Sequence, residues 1–161
     1  MTITFRKYAQ NDRPAVDKVV HDAWIELAPL TPGWDRLAPR LGALTENASY
    51  TEIVVAELDG EIIGAVGYVG PHRPKPDFFA PEWPMVRFLS VAPTARGHGV
   101  GQALLDECIR RAERDKTGVI ALHTTPVMEA AQYLYRRAGF KVIRHLPDMY
   151  GVPYVLMTKE L

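Results

Sequence analysis

The chain has one cysteine, Cys108, in 161 residues. That count excludes an intramolecular disulfide framework and any cysteine-based metal cluster, and it suits a reducing compartment. An excess of charge of one sign is also missing: nineteen Lys and Arg balance nineteen Asp and Glu. Nucleic-acid binders usually carry a basic excess or stripe, so the balance argues against one. No run of like charge marks a tail. Long apolar runs are absent too. The longest uncharged one, "IIGAVGYVG" from Ile62 to Gly70, is about half of the ~20 residues needed to span a bilayer. The opening "MTITFRKY" alternates polar and apolar residues and lacks the h-region of a signal peptide. The expectation is a soluble, cytoplasmic chain with no metal, no membrane and no nucleic-acid partner. At 47% apolar residues, it has the material for one domain over residues 1–161. Whether it forms a homodimer is left open.

What is present is a sequence of alternating strand and helix signals. Ile3, Phe5 and Tyr8 start a short strand of period two. "NDRPAVDKVVHDAWIEL" reads as a helix, with Asn11 or Asp12 as N-cap, Pro14 in the first turn and Val16, Val19, Val20 and Ala23 on one face. "TPGW" breaks it, and a weaker helix is predicted from Asp35 to Thr45. Residues 51–70 hold two β-rich runs joined at Asp59-Gly60, the strongest short-range hairpin cue. "PHRPKPDFFAPEWP" carries five of the thirteen prolines and predicts an ordered surface loop. "MVRFLSVAP" is a strand ended by Pro93, and a helix runs from about Gly99 to Arg114. "TGVIALHTTP" is another strand; "VMEAAQYLYRRAGF" is a helix with Gly139 at its C-terminal cap; "KVIRHL" and "YVLMTKEL" are final strands. The order β-α-α-β-β-β-α-β-α-β-β predicts an α/β (α+β) layered domain, a mixed central β-sheet flanked by helices.

Three glycines fall within five residues in "RGHGVGQALL", Arg96 to Leu105, after a strand and before a helix. The first N–H groups of a helix have no internal partner, and the macrodipole adds roughly +0.5 charge there. Glycines remove the Cβ atoms that would hold a ligand away, and Arg96 adds a cation. This combination suits a phosphate or pyrophosphate; the plainer alternative is a tight turn needing positive φ. Neither common nucleotide motif fits. No Lys-Ser or Lys-Thr follows the glycines, as a P-loop requires. Gln102 stands where a dinucleotide fingerprint needs glycine, and no acidic residue ends a strand about twenty residues on.

The pattern Arg/Gln-x-x-Gly-x-Gly/Ala, met by Arg96, Gly99 and Gly101, resembles that of the GNAT superfamily of N-acetyltransferases. The second helix of the pair resembles the family's Leu-Tyr-x-x-x-Gly-Phe signature, here Leu134, Tyr135, Gly139 and Phe140. The element order agrees from about residue 51 and fits more loosely before it. This resemblance implies acetyl-CoA, or a related acyl-CoA, as donor. It assigns the pyrophosphate to the amides of Gly97, His98, Gly99, Val100, Gly101 and Gln102 beside Arg96. It assigns the pantetheine arm to the backbone of Leu89 and Val91, where the strand splays from its neighbour. The family's frequent asparagine seven residues before the tyrosine is Met128 here.

The implied reaction acetylates a primary amine, on a small molecule or a peptide, by direct attack in a ternary complex. Attack needs a neutral amine held against the thioester and a donor for the oxyanion, the N–H near Leu89. A CoA thiol resembles cysteine, with a pKa of about 8.5, so an acid adds only about 10²-fold. Tyr135 is the implied acid. For the base, His123 and Glu82 are candidates, alongside a water relay or an amine that arrives neutral. Trp24, Trp34, Trp83, Phe78 and Phe79 are candidate walls of an acceptor pocket. Cys108 reads as core; Arg110, Arg111 and Arg114 read as a solvated helix face. His72, Arg73 and Lys75 are candidate contacts for the adenosine phosphate. Two other readings stay open: a non-catalytic acyl-CoA sensor, and a nucleotide-binding domain of another kind.

Overall fold

The two period-two runs flanking Asp59-Gly60 form a hairpin. In the computed structural model, which describes residues 2–161, strand β2 (Glu52–Leu58) turns into β3 (Glu61–Val69). Asp59 and Gly60 have φ of 51° and 79°, the pair of positive values that a type I′ turn requires. The other strands are β1 (Ile3–Lys7), β4 (Met85–Val91), β5 (Val119–Thr124), β6 (Lys141–Met149) and β7 (Val152–Glu160). All seven join one sheet in the order β1-β2-β3-β4-β5-β7-β6. Neighbours are antiparallel except β4 and β5, which run parallel. The mixed sheet and its strand sequence are those expected.

Helix α1 (Arg13–Trp24) buries Val16, Val19 and Val20 against the sheet. It ends earlier than its apolar pattern suggests and continues as 3-10 turns over Ile25–Leu30, where Pro29 removes a donor. Asp12 does not cap it with its side chain. Its carboxylate instead accepts the Ala9 N–H at 2.8 Å and the Arg6 guanidinium at 2.8 and 2.9 Å. The helix expected over residues 35–45 is corrected to three pieces: α2 (Trp34–Leu37), a 3-10 turn over Ala38–Arg40 and α3 (Ala43–Glu46). Pro39 and Gly42 are poor interior helix residues, and they account for the breaks.

Helices α4 (Val100–Arg114) and α5 (Glu129–Arg137) cover the opposite face. Period two in β2 sorts the layers: Val54 and Ala56 join α4, whereas Ile53 and Val55 join α1. The stripe Val100, Leu104, Leu105, Cys108 and Ala112 is buried, at roughly 2 kcal/mol for each large side chain. Gly64 lets α4 sit close, since a Cβ there would lie 3.0 Å from Val100 and 3.1 Å from Leu104. Beyond Arg137, Gly139 takes φ 101°. Its N–H donates to the Arg136 carbonyl at 3.1 Å, and Phe140 N–H donates to the Tyr135 carbonyl at 3.0 Å. This Schellman closure is the glycine cap that the sequence predicts.

The proline-rich stretch is the ordered loop expected, and it buries Phe79 in a third apolar cluster with Met85, Tyr154 and Leu156. The Lys75 ammonium donates to the carbonyls of Gly70 and Arg73 at 2.8 and 2.9 Å, so it staples this loop. Arg110 and Arg114 are exposed, as expected of a solvated face, whereas Arg111 departs from it and is largely covered. Arg114 pairs with Glu52 at 2.7 Å and Asp115 at 3.0 Å, and Arg111 lies 3.3 Å from both Glu52 and Glu107. Tyr68 donates its hydroxyl to Asp115 at 2.8 Å, tying β3 to the end of α4. Among the described residues, no helix is long and apolar enough to cross a membrane.

Candidate active site

Strands β4 and β5 are in register at a single pair, Met85 with Ala121. No further pair of described residues joins them; a smaller cavity is lined by both strands, and a larger one by the end of β4 and by residues that follow β5. The larger, about 1030 Å³, is lined on one side by Leu89, Val91 and the loop into α4, and on the other by residues of α5 and of the segment after α1. The smaller, about 270 Å³, is lined by His123, Tyr135, Phe78, Phe88 and Tyr154 among others. Trp24, Leu89 and Met128 line both, which makes them the partition between the two chambers.

The glycines answer to backbone geometry. Gly97 and Gly99 have φ of 83° and 75°, and nothing lies within 4 Å of a Cβ built on either. Open space on that side means that conformation, not packing, selects glycine there. Gly99 is the N-cap of α4, no side chain caps the helix, and the first internal bond runs from Ala103 N–H to the Gly99 carbonyl at 3.0 Å. The N–H groups of Val100, Gly101 and Gln102 therefore precede the helical ladder, at the positive end of a fifteen-residue helix. Gln102 donates its side-chain amide to Asp106 at 2.9 Å, leaving only its backbone for this role. Arg96, Gly97, Gly99, Val100, Gly101 and Gln102 all line the larger cavity, whereas His98 does not and is exposed.

Arg96, the cation beside the glycines, is already paired. Its guanidinium lies 2.5 Å from Glu26, which comes from the 3-10 segment on the facing wall. Both residues are about half exposed, so the pair is worth no more than about 1 kcal/mol.

Nothing in the sequence marks the kink in β4. Phe88 has φ 51°, a costly conformation for a non-glycine residue. The ladder pairs Ala65 with Ser90 and Gly67 with Arg87, so Phe88 and Leu89 both face Val66 across a bulge. Ser90, which is buried, donates its hydroxyl to the Phe88 carbonyl at 2.9 Å, and Trp24 Nε1 donates to Ser90 at 3.2 Å. The Trp24 and Phe88 rings pack at 5.4 Å.

Tyr135 lies on α5 and is 6% exposed. Burial raises its pKa, and the Cys108 thiol adds to this, so the phenol keeps its proton through the neutral range. Its ring packs on Phe140 at 6.0 Å. His123 sits among Phe78, Phe79 and Tyr154, with ring centroids 5.2 to 5.6 Å away. Its Nδ1 is buried without a partner. Burial, and then the charge of Arg87, push its pKa down to about 4, so the imidazole is neutral at pH 7. Cys108 is fully buried, and burial pushes its thiol up to about 12, in keeping with a core role.

Of the aromatic candidates, Trp24 and Phe78 line the smaller cavity and Phe79 packs on His123. Trp34 and Trp83 line neither cavity and pack in the clusters under α1 and under the proline-rich loop. Glu82, His72, Arg73 and Lys75 line neither cavity. Glu26, Arg40 and Arg87 border the cavities and Ser90 holds the β4 bulge; the sequence singled out none of them. A charged or polar residue inside a strand or turn carries no sign of which cavity it will border.

A model of the acetyltransferase (GNAT) family matches residues 16–140. The chain belongs to this family. Its GNAT relatives include the L-2,4-diaminobutyric acid acetyltransferase of Nocardia farcinica, 35% identical over 101 residues, covering 56% of this chain and 48% of that protein. The chain spans about half the length of the curated relatives it matches. Among solved structures, the histone acetyltransferase HPA2 and related acetyltransferase from Corynebacterium glutamicum is 26% identical with a TM-score of 0.75, covering 99% of this chain and 97% of that one. The PaiA N-acetyltransferase from Thermoplasma acidophilum, solved with coenzyme A, has a TM-score of 0.72 at 18% identity and full coverage of both chains. At that identity the likeness is one of GNAT fold.

Proposed function

We propose that the chain is an acetyl-CoA-dependent N-acetyltransferase, acting in the cytoplasm on a primary amine by direct attack in a ternary complex. The observation that carries this reading is the partition. A chamber fitted for a diphosphate and a chamber fitted for a small organic body share Trp24, Leu89 and Met128. A donor entering from the first would present its thioester where an acceptor in the second can reach it.

Each residue then has a task. The amides of Gly97, Gly99, Val100, Gly101 and Gln102 hold the diphosphate, joined by Arg96 once it leaves Glu26. His98 contributes through its backbone N–H. The backbone of Leu89 and Val91 pairs with the pantetheine arm. The Leu89 N–H, displaced by the bulge, donates to the oxyanion. The amine nitrogen bonds to the carbonyl carbon, the C–S bond breaks, and Tyr135 gives its proton to the departing thiolate. The amine's proton passes to His123, which holds the accepting form throughout the neutral range, or to water. A base near pKa 4 is too weak to deprotonate a free ammonium, so the acceptor enters as the neutral amine and His123 accepts only after attack.

Calorimetry with CoA, followed by thiol release from acetyl-CoA across a broad amine screen, tests the reading. Binding and amine-dependent thiol release are expected. Binding with no release above background for any amine would replace the enzyme with a sensor, and no binding would overturn the donor assignment.

A further inference from the structure

The smaller chamber is charged in an unusual way. Its walls are apolar and aromatic: Trp24, Phe78, Phe88, Tyr150 and Tyr154, with Met85 and Met149. The charged residues among them are Arg40 and Arg87, and no carboxylate lines it. Neither arginine forms an ion pair with a described residue. Arg87 instead lies 5.7 Å from the Phe88 ring centroid, at the strand position just before the bulge. Arg36, Arg73, Arg136, Arg137 and Arg144 form no ion pair with a described residue either, but none of them lines this chamber. Two unmatched guanidinium groups beside an aromatic cavity are a recognition feature for an anion on an apolar body.

The same charge acts against cations. A pocket holding two arginines and no acid repels a second ammonium group, so polyamines and other polycations are poor occupants. At about 270 Å³ the cavity lies below the ~300–1,000 Å³ of pockets that take drug-sized ligands. A single amino-acid-sized molecule matches it.

We infer that the acceptor is a small amine that also carries a carboxylate and an apolar or aromatic body, with Arg87 and Arg40 holding the carboxylate. This rests on the acetyltransferase reading above and names its acceptor class. The fixed positive charge has a second effect on the same substrate. It disfavours the ammonium form of the bound amine, and so favours the neutral nucleophile in a site whose one histidine is a weak base.

Matched acceptors test this. kcat/KM is measured with acetyl-CoA for L-phenylalanine against phenethylamine and L-phenylalaninamide, for L-methionine against its decarboxylated amine, and for spermidine. The amino acids should exceed their uncharged-tail counterparts by roughly tenfold or more, the size expected of charge-assisted hydrogen bonds. Arg87→Gln and Arg40→Gln should each narrow that ratio through KM, and Arg87→Glu should turn the preference toward a cationic tail. CoA affinity and circular dichroism, read on every variant, separate a recognition defect from misfolding. If the decarboxylated amines or spermidine are the better substrates, the acceptor class falls and the enzyme reading stands. The acceptor class falls in the same way if none of these compounds reacts while the broad screen finds another amine. If CoA binds and no amine reacts in either set, both fall.

Discussion

Trp24 Nε1 reaches across from α1 to Ser90 Oγ at 3.2 Å, and Ser90 in turn donates to the Phe88 carbonyl. This relay holds a non-glycine residue at positive φ in the strand that borders both chambers. Ser90→Ala should remove the hold. Stability should fall by about 2 kcal/mol, the net worth of the two hydrogen bonds that the hydroxyl makes. Turnover should fall several-fold further than CoA affinity, because the Leu89 N–H is set by the bulge. Steady-state kinetics beside calorimetry checks it; equal losses in both would mean that Ser90 merely packs.

Gly99→Ala forces a Cβ into the left-handed region at a cost of roughly 1–2 kcal/mol. CoA affinity should drop about tenfold or more. Gly60→Ala is the matched control, since Gly60 has φ 79° and equally open surroundings but lies in the β2–β3 turn. It should lose comparable thermal stability and keep CoA affinity. Equal affinity in the two variants would remove the loop from the diphosphate site.

Tyr135→Phe deletes one oxygen from a buried ring that keeps its packing on Phe140. Turnover should fall by about 10², with CoA affinity within about twofold of the parent. Pre-steady-state thiol release measures the chemical step directly. An unchanged rate would assign the phenol to packing.

Arg96 and Glu26 both line the larger chamber and pair with each other, so a phosphate bound there would compete with Glu26 for the guanidinium. Glu26→Gln should therefore strengthen CoA binding, by up to about fivefold given an exposed pair worth no more than ~1 kcal/mol. Arg96→Gln should weaken it. Calorimetry at two ionic strengths reads both, and weaker binding by Glu26→Gln would contradict the competition.

His123 makes stability depend on pH. Its folded pKa, about 4, lies below the ~6.5 of an unfolded histidine. On acidification the unfolded chain takes up the proton first, so stability falls as pH drops from about 6.5 toward 4. Between pH 7.5 and 5 the loss should be about 2 kcal/mol. The carboxylates of Asp12, Glu52 and Asp115, held low chiefly by Arg6 and Arg114, add their losses only as pH falls through the carboxylate range. Urea unfolding at the two pH values, repeated on His123→Gln, isolates the histidine. A variant as acid-sensitive as the parent would rule out the buried neutral imidazole.

Features with strong local chemistry were legible in the sequence. Asp59-Gly60 and Gly139 announce backbone shapes that few other residues accept, and the stripe of α4 announces its buried face. The glycine loop and its helix read as an anion site because strand, glycines and helix follow one another without interruption. Features made by the meeting of distant segments were not legible. Phe88 carries no turn residue beside it, and its bulge depends on Trp24, sixty-four positions earlier in the numbering. Residues 35–45 read as helix on composition, yet Pro39 and Gly42 decided the outcome. The partner of Arg96 was hidden because Glu26 approaches only in the folded chain.

The lone parallel pairing of Met85 with Ala121 has a mechanical consequence. Along that seam the sheet is a hinge with one pin, and its two halves are otherwise joined by helix α4 and by the proline-rich loop, whose Phe79 packs with Met85, Tyr154 and Leu156. A molecule bound in the seam would act as a structural beam. The saturated protein should then unzip as a single block, whereas the empty one should release amide hydrogens along the open edges of β4 and β5 well before its hairpins loosen.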